Sequence, residues 1–286
     1  DFGPKPVMMG GVVGIIPEKY VKKEEPNKDD LILLVGGKTG RDGIHGATVS
    51  SSSLTNETGT IDPGSVQIGD AIMEKKDVDA LLECRDRDLI KTETDCGGGG
   101  LSSAVGEIAK NVGAEVDLSK VILKYKGLAP WEIWESEAQE RMIIAVDPQN
   151  LPEVIQICEK HDAPVAVIGR FTGDKKLTLY QGEGNLVGEL PMDFLHHGYP
   201  KKTLQMKYEP YPEDNRVPEE PVNPDAWVNA YKKVLAHFNL CSKQPLHTRF
   251  DQSVQGRMAL ASYTGVNLDV PNDGVAFKPI YNKDIA

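Results

Sequence analysis

The chain has 286 residues, 43 acidic against 32 basic, and a formal net charge of -11. That balance excludes a general nucleic-acid binder, which needs concentrated Lys and Arg to displace counterions from phosphates. No apolar run approaches the ~18 residues of a membrane-spanning helix, so neither nucleic acid nor a bilayer is an expected partner. With 40% apolar and 26% charged residues, the composition predicts a globular protein of one large domain or two smaller ones. Cys84, Cys96, Cys158 and Cys241 lack CxxC spacing and suggest neither a zinc site nor a disulfide scaffold. A cytoplasmic address fits best.

The chain opens at Asp1 and ends soon after an apolar segment, which reads as a piece cut from something longer or as ordinary loose termini. Met8 to Ile16 predicts a Gly-rich strand, and Leu31 to Val35 a fully buried one that stops at Gly36-Gly37. The stretch from Thr39 to Gly64 is too rich in Gly, Ser and Thr for a regular element and far longer than ordinary connections, which hints at function. Ile68, Ala71, Ile72, Val78, Leu81 and Leu82 recur at helical spacing between Gln67 and Arg85. A strand over Leu89 to Asp95, a glycine loop and a helix from Leu101 to about Val112 follow. Pro130 suits the first turn of a short helix. Arg141 to Val146 predicts a strand, Pro152 to Lys160 a helix and Ala163 to Gly169 a strand. Leu177 to Gln181 and Leu186 to Leu190 predict a pair joined across Gly182-Glu183-Gly184. Pro210, Pro212, Pro218, Pro221 and Pro224 among acidic residues give a linker composition. Asn223-Pro224 then reads as a helix N-cap followed by Pro at the first helical position. Trp227, Tyr231, Val234, Leu235 and Phe238 would mark one face of that helix.

Four segments carry possible chemistry. Gly36 to Thr48 follows a buried strand, and its glycines free backbone N–H groups while Lys38, Arg41 and His45 add positive charge. It is an anion loop or an ordinary turn. It is not a P-loop, because Ile32 stands where that motif needs a glycine. Asp95 to Ser103 joins a strand end, four glycines and a helix start. A carboxylate there can hold magnesium and the helix start suits a phosphate; otherwise Asp95 is a turn residue. Cys96 has no identifiable His partner and reads as packing. Pro130 to Met142 places titratable groups before a strand, either as a shelf for a polyhydroxylated ligand or as a solvated helix end with Trp131 and Trp134 in the core. Asp70, early in the long helix, suffices as its cap. His196-His197 lacks a third metal ligand and reads as surface.

Gly40 to Ala47, Val66 to Asp70, Asp95 to Ser103 and Ser136 to Met142 occur in the same order and similar spacing in one family. The chain resembles the synthetase subunit of phosphoribosylformylglycinamidine synthase from about Met8 to Leu204, and more weakly through Ser242-Lys243 and Arg249 to Val254. The resemblance implies an ATP-dependent ligase of purine biosynthesis that converts formylglycinamide ribonucleotide to its amidine, using ammonia that a glutaminase subunit or domain releases from glutamine. It implies ATP and Mg2+ as cofactors. By the same resemblance Asp95 matches a magnesium ligand, Gln67, Glu137, Ala138 and Gln139 match substrate-contacting positions, and Arg41, His45 and Gly46 match the family's glycine loop. Ala138 stands where Ser is common. The family's catalytic His falls outside this chain.

The implied organisation is the tail of an ATP-binding-type domain in 1–10, an AIR synthetase C-terminal-type domain in 11–205, a Pro-rich linker and helix in 206–245, and the start of a second ATP-binding-type domain in 246–286. On that reading the chain alone binds weakly and does not turn over. A related synthetase, such as the aminoimidazole ribonucleotide or selenophosphate enzymes, and a non-catalytic assembly module are the alternatives. The expected fold is α+β, a layered mixed sheet flanked by helices. Arg141 to Leu190 resembles a ferredoxin-like half.

Overall fold

Leu31 to Gly36 forms β1, whose interior residues are buried on both faces. A computed structural model describes residues 13–46, 63–210, 221–249, 253 and 256–283. After β1 come α1 (Ala71–Asp86), β2 (Ile90–Asp95), α2 (Leu101–Ile108), β3 (Ala114–Asp117), α3 (Pro130–Glu135) and β4 (Arg141–Val146). Then follow α4 (Leu151–Lys160), β5 (Val165–Phe171), β6 (Lys176–Tyr180), β7 (Leu186–Pro191) and α5 (Met192–His197). The strands form a seven-stranded sheet in the order β2-β4-β1-β5-β3-β6-β7. β3 and β6 run parallel, and the other neighbours are antiparallel.

Alternation along β1 explains why it is apolar throughout. Ile32 and Leu34 enter a cluster with Leu101, Val105 and Ile133, from α2 and α3. Leu33 and Val35 face the other way, toward Ala80 and Cys84 of α1 and Val154 and Cys158 of α4. Helices therefore cover the sheet on both sides, which is the layered α+β arrangement expected. The units β1-α1-β2 and β4-α4-β5 interleave, with β4 between β1 and β2 and with β1 between β4 and β5. This is the ferredoxin-like pattern, with 31–95 as one half; of Arg141 to Leu190 only β4-α4-β5 forms the other, and β6 and β7 extend the sheet beyond β3.

Several elements differ from the sequence reading. β3 has four residues, too few to show a period, and α5 has six, so neither was expected. α1 begins at Ala71 rather than Gln67, because the Asp70 carboxylate accepts from the N–H groups of Ile72 and Met73, both at 3.1 Å. Its buried face is Asp77, Ala80, Leu81 and Cys84. Of the apolar positions that suggested the helix, Ile72, Val78 and Leu82 are exposed. α2 ends at Ile108, and the chain then turns through Gly113 at φ 89. Val13 to Ile16, the described part of the strand expected at Met8 to Ile16, is exposed and outside any strand. Met8 to Gly11 and Val12 lie outside the described residues. β6 and β7 do pair, with Gly182 and Gly184 at φ 83 and 71 in the turn.

The chain divides into two compact units, one of them Lys22–Leu204. Within the other, α6 (Pro224–Ala236) is capped as expected, the Asn223 side chain accepting from Ala226 N–H at 2.8 Å. Trp227, Tyr231, Val234, Leu235 and Phe238 are all exposed. Two short antiparallel pairs follow, Met258–Leu260 with Ala276–Phe277 and Tyr263–Thr264 with Val270–Pro271. Pro212 and Pro218, and Phe250 to Gln252, lie outside the described residues.

Leu33 has no solvent exposure and sits at the centre of the α1–α4 layer. Leu33→Ala is expected to lower unfolding stability by about 2–5 kcal/mol in urea, through lost burial and the cavity left behind.

Candidate functional site

Three sequence-distant segments meet at the end of the sheet where β1 and β2 finish and β4 begins. The register places Gly36 opposite Arg141, and Asp95 opposite Met142. The loops after β1 and β2 therefore emerge beside 136–140.

Arg141 is 3% exposed and holds this junction together. Its Nε donates to Ala138 O at 2.8 Å, Nη1 to Thr39 Oγ1 at 2.9 Å, and Nη2 to Ser136 O. Burial pulls its pKa down. The Arg141 carbonyl in turn accepts from Cys96 N–H at 3.0 Å. One side chain and its backbone thus fasten the loop after β1, the loop after β2 and the 136–140 turn.

Glu137, 4% exposed, is the second hub. Its carboxylate accepts from Gln67 Nε2 at 2.9 Å through Oε2 and from Gly99 N–H at 2.9 Å through Oε1. Its N–H donates to Asp42 O at 3.1 Å. The glycines nearby permit that approach: a side chain at Gly43 would begin 2.6 Å from Glu137 Cβ, and one at Gly46 2.8 Å from Oε2. At Gly100, φ 58, it would begin 1.9 Å from Ser136 O. Gln139 Nε2 donates to Glu137 O at 3.3 Å, and Ala138 is buried beside Ser136, whose hydroxyl accepts from Ala138 N–H at 3.2 Å. The structure brings Gln67, Glu137, Ala138, Gln139 and Gly46 into one place. Ser136, Glu137 and Ala138 are buried, so the solvated-helix-end reading fails there. Trp131 is half-exposed, whereas Trp134 is partly buried against the core and Ile133 fully buried within it.

Arg41 is placed differently. Its Nε and Nη2 bond Glu132 at 2.7 and 3.2 Å, and Nη2 also bonds Gly127 O at 2.9 Å. Glu132 raises the Arg41 pKa and is itself held low by the pair. The charge offered to an anion by the sequence is thus matched by an acid from α3. His45 is exposed at φ 61, its ring 6.4 Å from that of Trp131.

Asp95 is exposed at the carboxyl end of β2 and lines a cleft of about 410 Å³ with Gln139, Glu140, Arg141 and residues of α1. Among the described residues no three His, Cys, Asp or Glu side chains converge on a metal position. Magnesium accepts sites with one or two protein carboxylates, the remaining positions going to water and phosphate oxygens, so a single carboxylate at Asp95 is compatible with that ion. Cys96 beside it is 6% exposed and its thiol is pushed up to about 11 by burial, so it packs rather than reacts. His197 is exposed, as expected, while His196 meets Gly106 O at 3.0 Å. Sequence reasoning assigned no role to Arg141 and missed Asp77. A lone Asp on the core face of α1 offered the available signal.

Residues 27–182 match the family described as AIR synthase related protein, C-terminal domain. The chain belongs to that family. The PurL subunit of phosphoribosylformylglycinamidine synthase from Picrophilus torridus is 35% identical over 284 residues, covering 98% of this chain and 37% of that protein. The chain thus spans little more than a third of the length of the curated relatives it matches. Thermotoga maritima PurL complexed with FGAR is similar in structure, with TM-score 0.58, 30% identity, and 74% and 35% of the two chains covered. T. maritima PurL complexed with ATP gives TM-score 0.55 and 29% identity, over 74% and 33%.

Two outcomes follow from the buried groups. Arg141→Lys keeps a charge but not the three-way donor fork, and should cost at least about 3 kcal/mol in chemical denaturation. Asp77, 4% exposed, has its pKa pushed from 3.8 to about 7 by burial, then by Glu140. The folded chain keeps its proton where the unfolded chain has lost it. Its contribution is full below pH 3.8 and is lost as pH rises toward 7. Asp77→Asn should therefore gain stability relative to the parent between pH 4 and 8, measured as a difference of urea midpoints.

Proposed function

We propose that this chain is part of an ATP-dependent ligase that converts formylglycinamide ribonucleotide to formylglycinamidine ribonucleotide in purine biosynthesis. The observation that carries the reading is the Glu137 hub, which joins Gln67 and the Gly99 N–H in a chain similar to PurL complexed with FGAR. The reaction needs the amide oxygen phosphorylated by ATP, giving ADP and turning a poor leaving oxygen into a good one. Ammonia then displaces phosphate and leaves the amidine. Similarity to PurL complexed with ATP supports the nucleotide as co-substrate.

In this reading Asp95 holds magnesium, which would supply charge for the phosphoryl oxygens. Gln67, Glu137 and Gln139 bind the ribonucleotide, Ala138 seats the turn between them, and Arg41, His45 and Gly46 border the anion. Ammonia comes from a glutaminase subunit or domain, and the residue that acts on the substrate as the family's His lies outside this chain. No helix among the described residues is long and apolar enough to cross a membrane. A cytoplasmic location suits this chemistry.

Calorimetric titration of the chain with formylglycinamide ribonucleotide and Mg-ATP tests the assignment. Weak binding is expected, lowered roughly tenfold or more by Gln67→Ala, in line with one hydrogen bond to a charged group. Binding of neither ligand to a chain folded by circular dichroism would refute it. ADP release without flanking domains would refute the expectation that the chain does not turn over.

A further inference from the structure

β2 has two faces, and they line different spaces. Alternation along the strand turns Glu93 and Asp95 into the cleft already described, and Thr92 and Thr94 to the opposite side. There the two threonines floor a second pocket, of about 310 Å³. Ile108 and Asn111, at and just beyond the carboxyl end of α2, form one wall, and the segment from Lys23 to Pro26 forms the other. The two spaces share no lining residue, and the second lies wholly within the compact unit Lys22–Leu204.

The threonines set this pocket apart from a dent in the surface. Each is 8% exposed, and neither hydroxyl has a hydrogen-bond partner in the protein. Nor are they sealed off. Among the described residues, the fully enclosed side-chain oxygens without a partner belong to Asp77, Gln181 and Ser262. The Thr92 and Thr94 hydroxyls therefore stay reachable, and the pocket they floor is the way in. A hydroxyl held nine-tenths inside a fold without a protein partner is left for solvent or a ligand to satisfy. The walls are already oriented. Asn111 Nδ2 donates to Glu25 Oε1 at 2.6 Å, which leaves its carbonyl oxygen to accept. Lys23 Nζ donates to Glu93 O at 2.8 Å, so it covers the outer edge of β2 and keeps two further N–H donors.

We propose that this pocket binds a neutral polyhydroxylated molecule the size of a single sugar or cyclic polyol ring. The buried floor is uncharged, and its two hydroxyls, about 7 Å apart along the strand, can each donate and accept. A ligand hydroxyl meets either need. An ion placed there would give up its water for two neutral partners, which does not repay its desolvation. The carboxylates of Glu24, Glu25 and Glu107 stand on exposed residues at the rim, where they oppose an anion and where solvent screens their pull on a cation. With Asn111 Oδ1 they accept from further ligand hydroxyls, while Ile108 and Pro26 meet the C–H surface of the ring. About 310 Å³ is at the small end of ligand pockets and suits one ring. The site shares no residue with the proposed ribonucleotide site, so its failure would leave that reading untouched.

The test is a chemical-shift titration of the 286-residue chain, methyl-labelled at Thr and Ile, with myo-inositol. Cyclohexanol keeps the ring and removes all but one hydroxyl, cyclohexylammonium replaces them with a charge, and inorganic phosphate supplies an anion. The expected result is saturable millimolar binding of myo-inositol that shifts the Thr92, Thr94 and Ile108 methyls. In the Thr92→Val, Thr94→Val double variant, read at Ile108, the affinity should fall at least about tenfold, as two lost hydrogen bonds imply. Valine keeps the shape and the strand preference of threonine, so the fold is expected to survive. Absence of saturable shifts at these methyls up to about 100 mM, well past millimolar affinity, would overturn the proposal. So would equal binding of cyclohexanol, cyclohexylammonium or phosphate, affinity unchanged in the double variant, or shifts confined to the surroundings of Gln67 and Gln139. If the double variant does not fold, nuclear Overhauser effects between myo-inositol ring protons and the Thr92 and Thr94 methyls of the parent chain decide. Their presence supports the site, and their absence overturns it.

Discussion

A buried guanidinium at the start of a central strand is the constraint on which the rest of this end of the molecule depends. Arg141 has no carboxylate partner among its hydrogen bonds; it is satisfied by two backbone carbonyls and the Thr39 hydroxyl. Burying a cation on neutral acceptors is tolerable only when its donors point at fixed oxygens, because an unmet donor there would carry the full desolvation penalty. The 136–140 turn and Thr39 cannot move apart without exposing that charge. Glu137, Ala138 and Gln139 are held in place as a result, and their positions follow from electrostatics as much as from the sheet.

The glycines answer a second constraint, that of distance. Gly36 and Gly100 sit at positive φ against carbonyl oxygens of 136–140, where any Cβ would collide with backbone. Each lets one loop close onto the turn that Arg141 fixes. The four-glycine run therefore contributes to packing before it contributes to binding. Its Gly99 N–H is already taken by Glu137 and its Gly100 N–H by Gly97 O.

What the sequence disclosed followed from the strength of each signal. Runs such as Leu31 to Val35 and Arg141 to Val146 announce buried strands because both faces are covered, and Pro130, Asn223 and the Gly182–Gly184 turn carry local backbone chemistry. β3 and α5 were hidden by their length. The face of α1 was misread because an acid, Asp77, lies on its buried side while Val78 and Leu82 line an open cleft. Pattern reasoning assigns charged residues outward and apolar residues inward, so a cleft with a buried carboxyl reverses both assignments. The chemistry-bearing segments were legible as segments. Their convergence on Glu137 was not, since no local rule relates Gln67, Gly99 and Glu137.

Charge at the junction is largely balanced within the protein. Arg41 is neutralised by Glu132, and Asp42 by Lys124. With Arg41 paired, Lys38 is an exposed basic side chain of the glycine loop without an ion pair among the described residues. On the proposed function, recognition of an anionic ribonucleotide at this face therefore draws mainly on polar groups already aimed by the hubs and on a cation brought to Asp95. The balance also keeps the loops from repelling one another when no ligand is present. Preset side chains lose little entropy on binding, so a few hydrogen bonds can suffice where many mobile charges would be needed. Asp77, buried in the same cleft without a hydrogen-bond partner, stands outside that balance in another way: burial raises its pKa to about 7, so the folded chain holds a proton there instead of a charge.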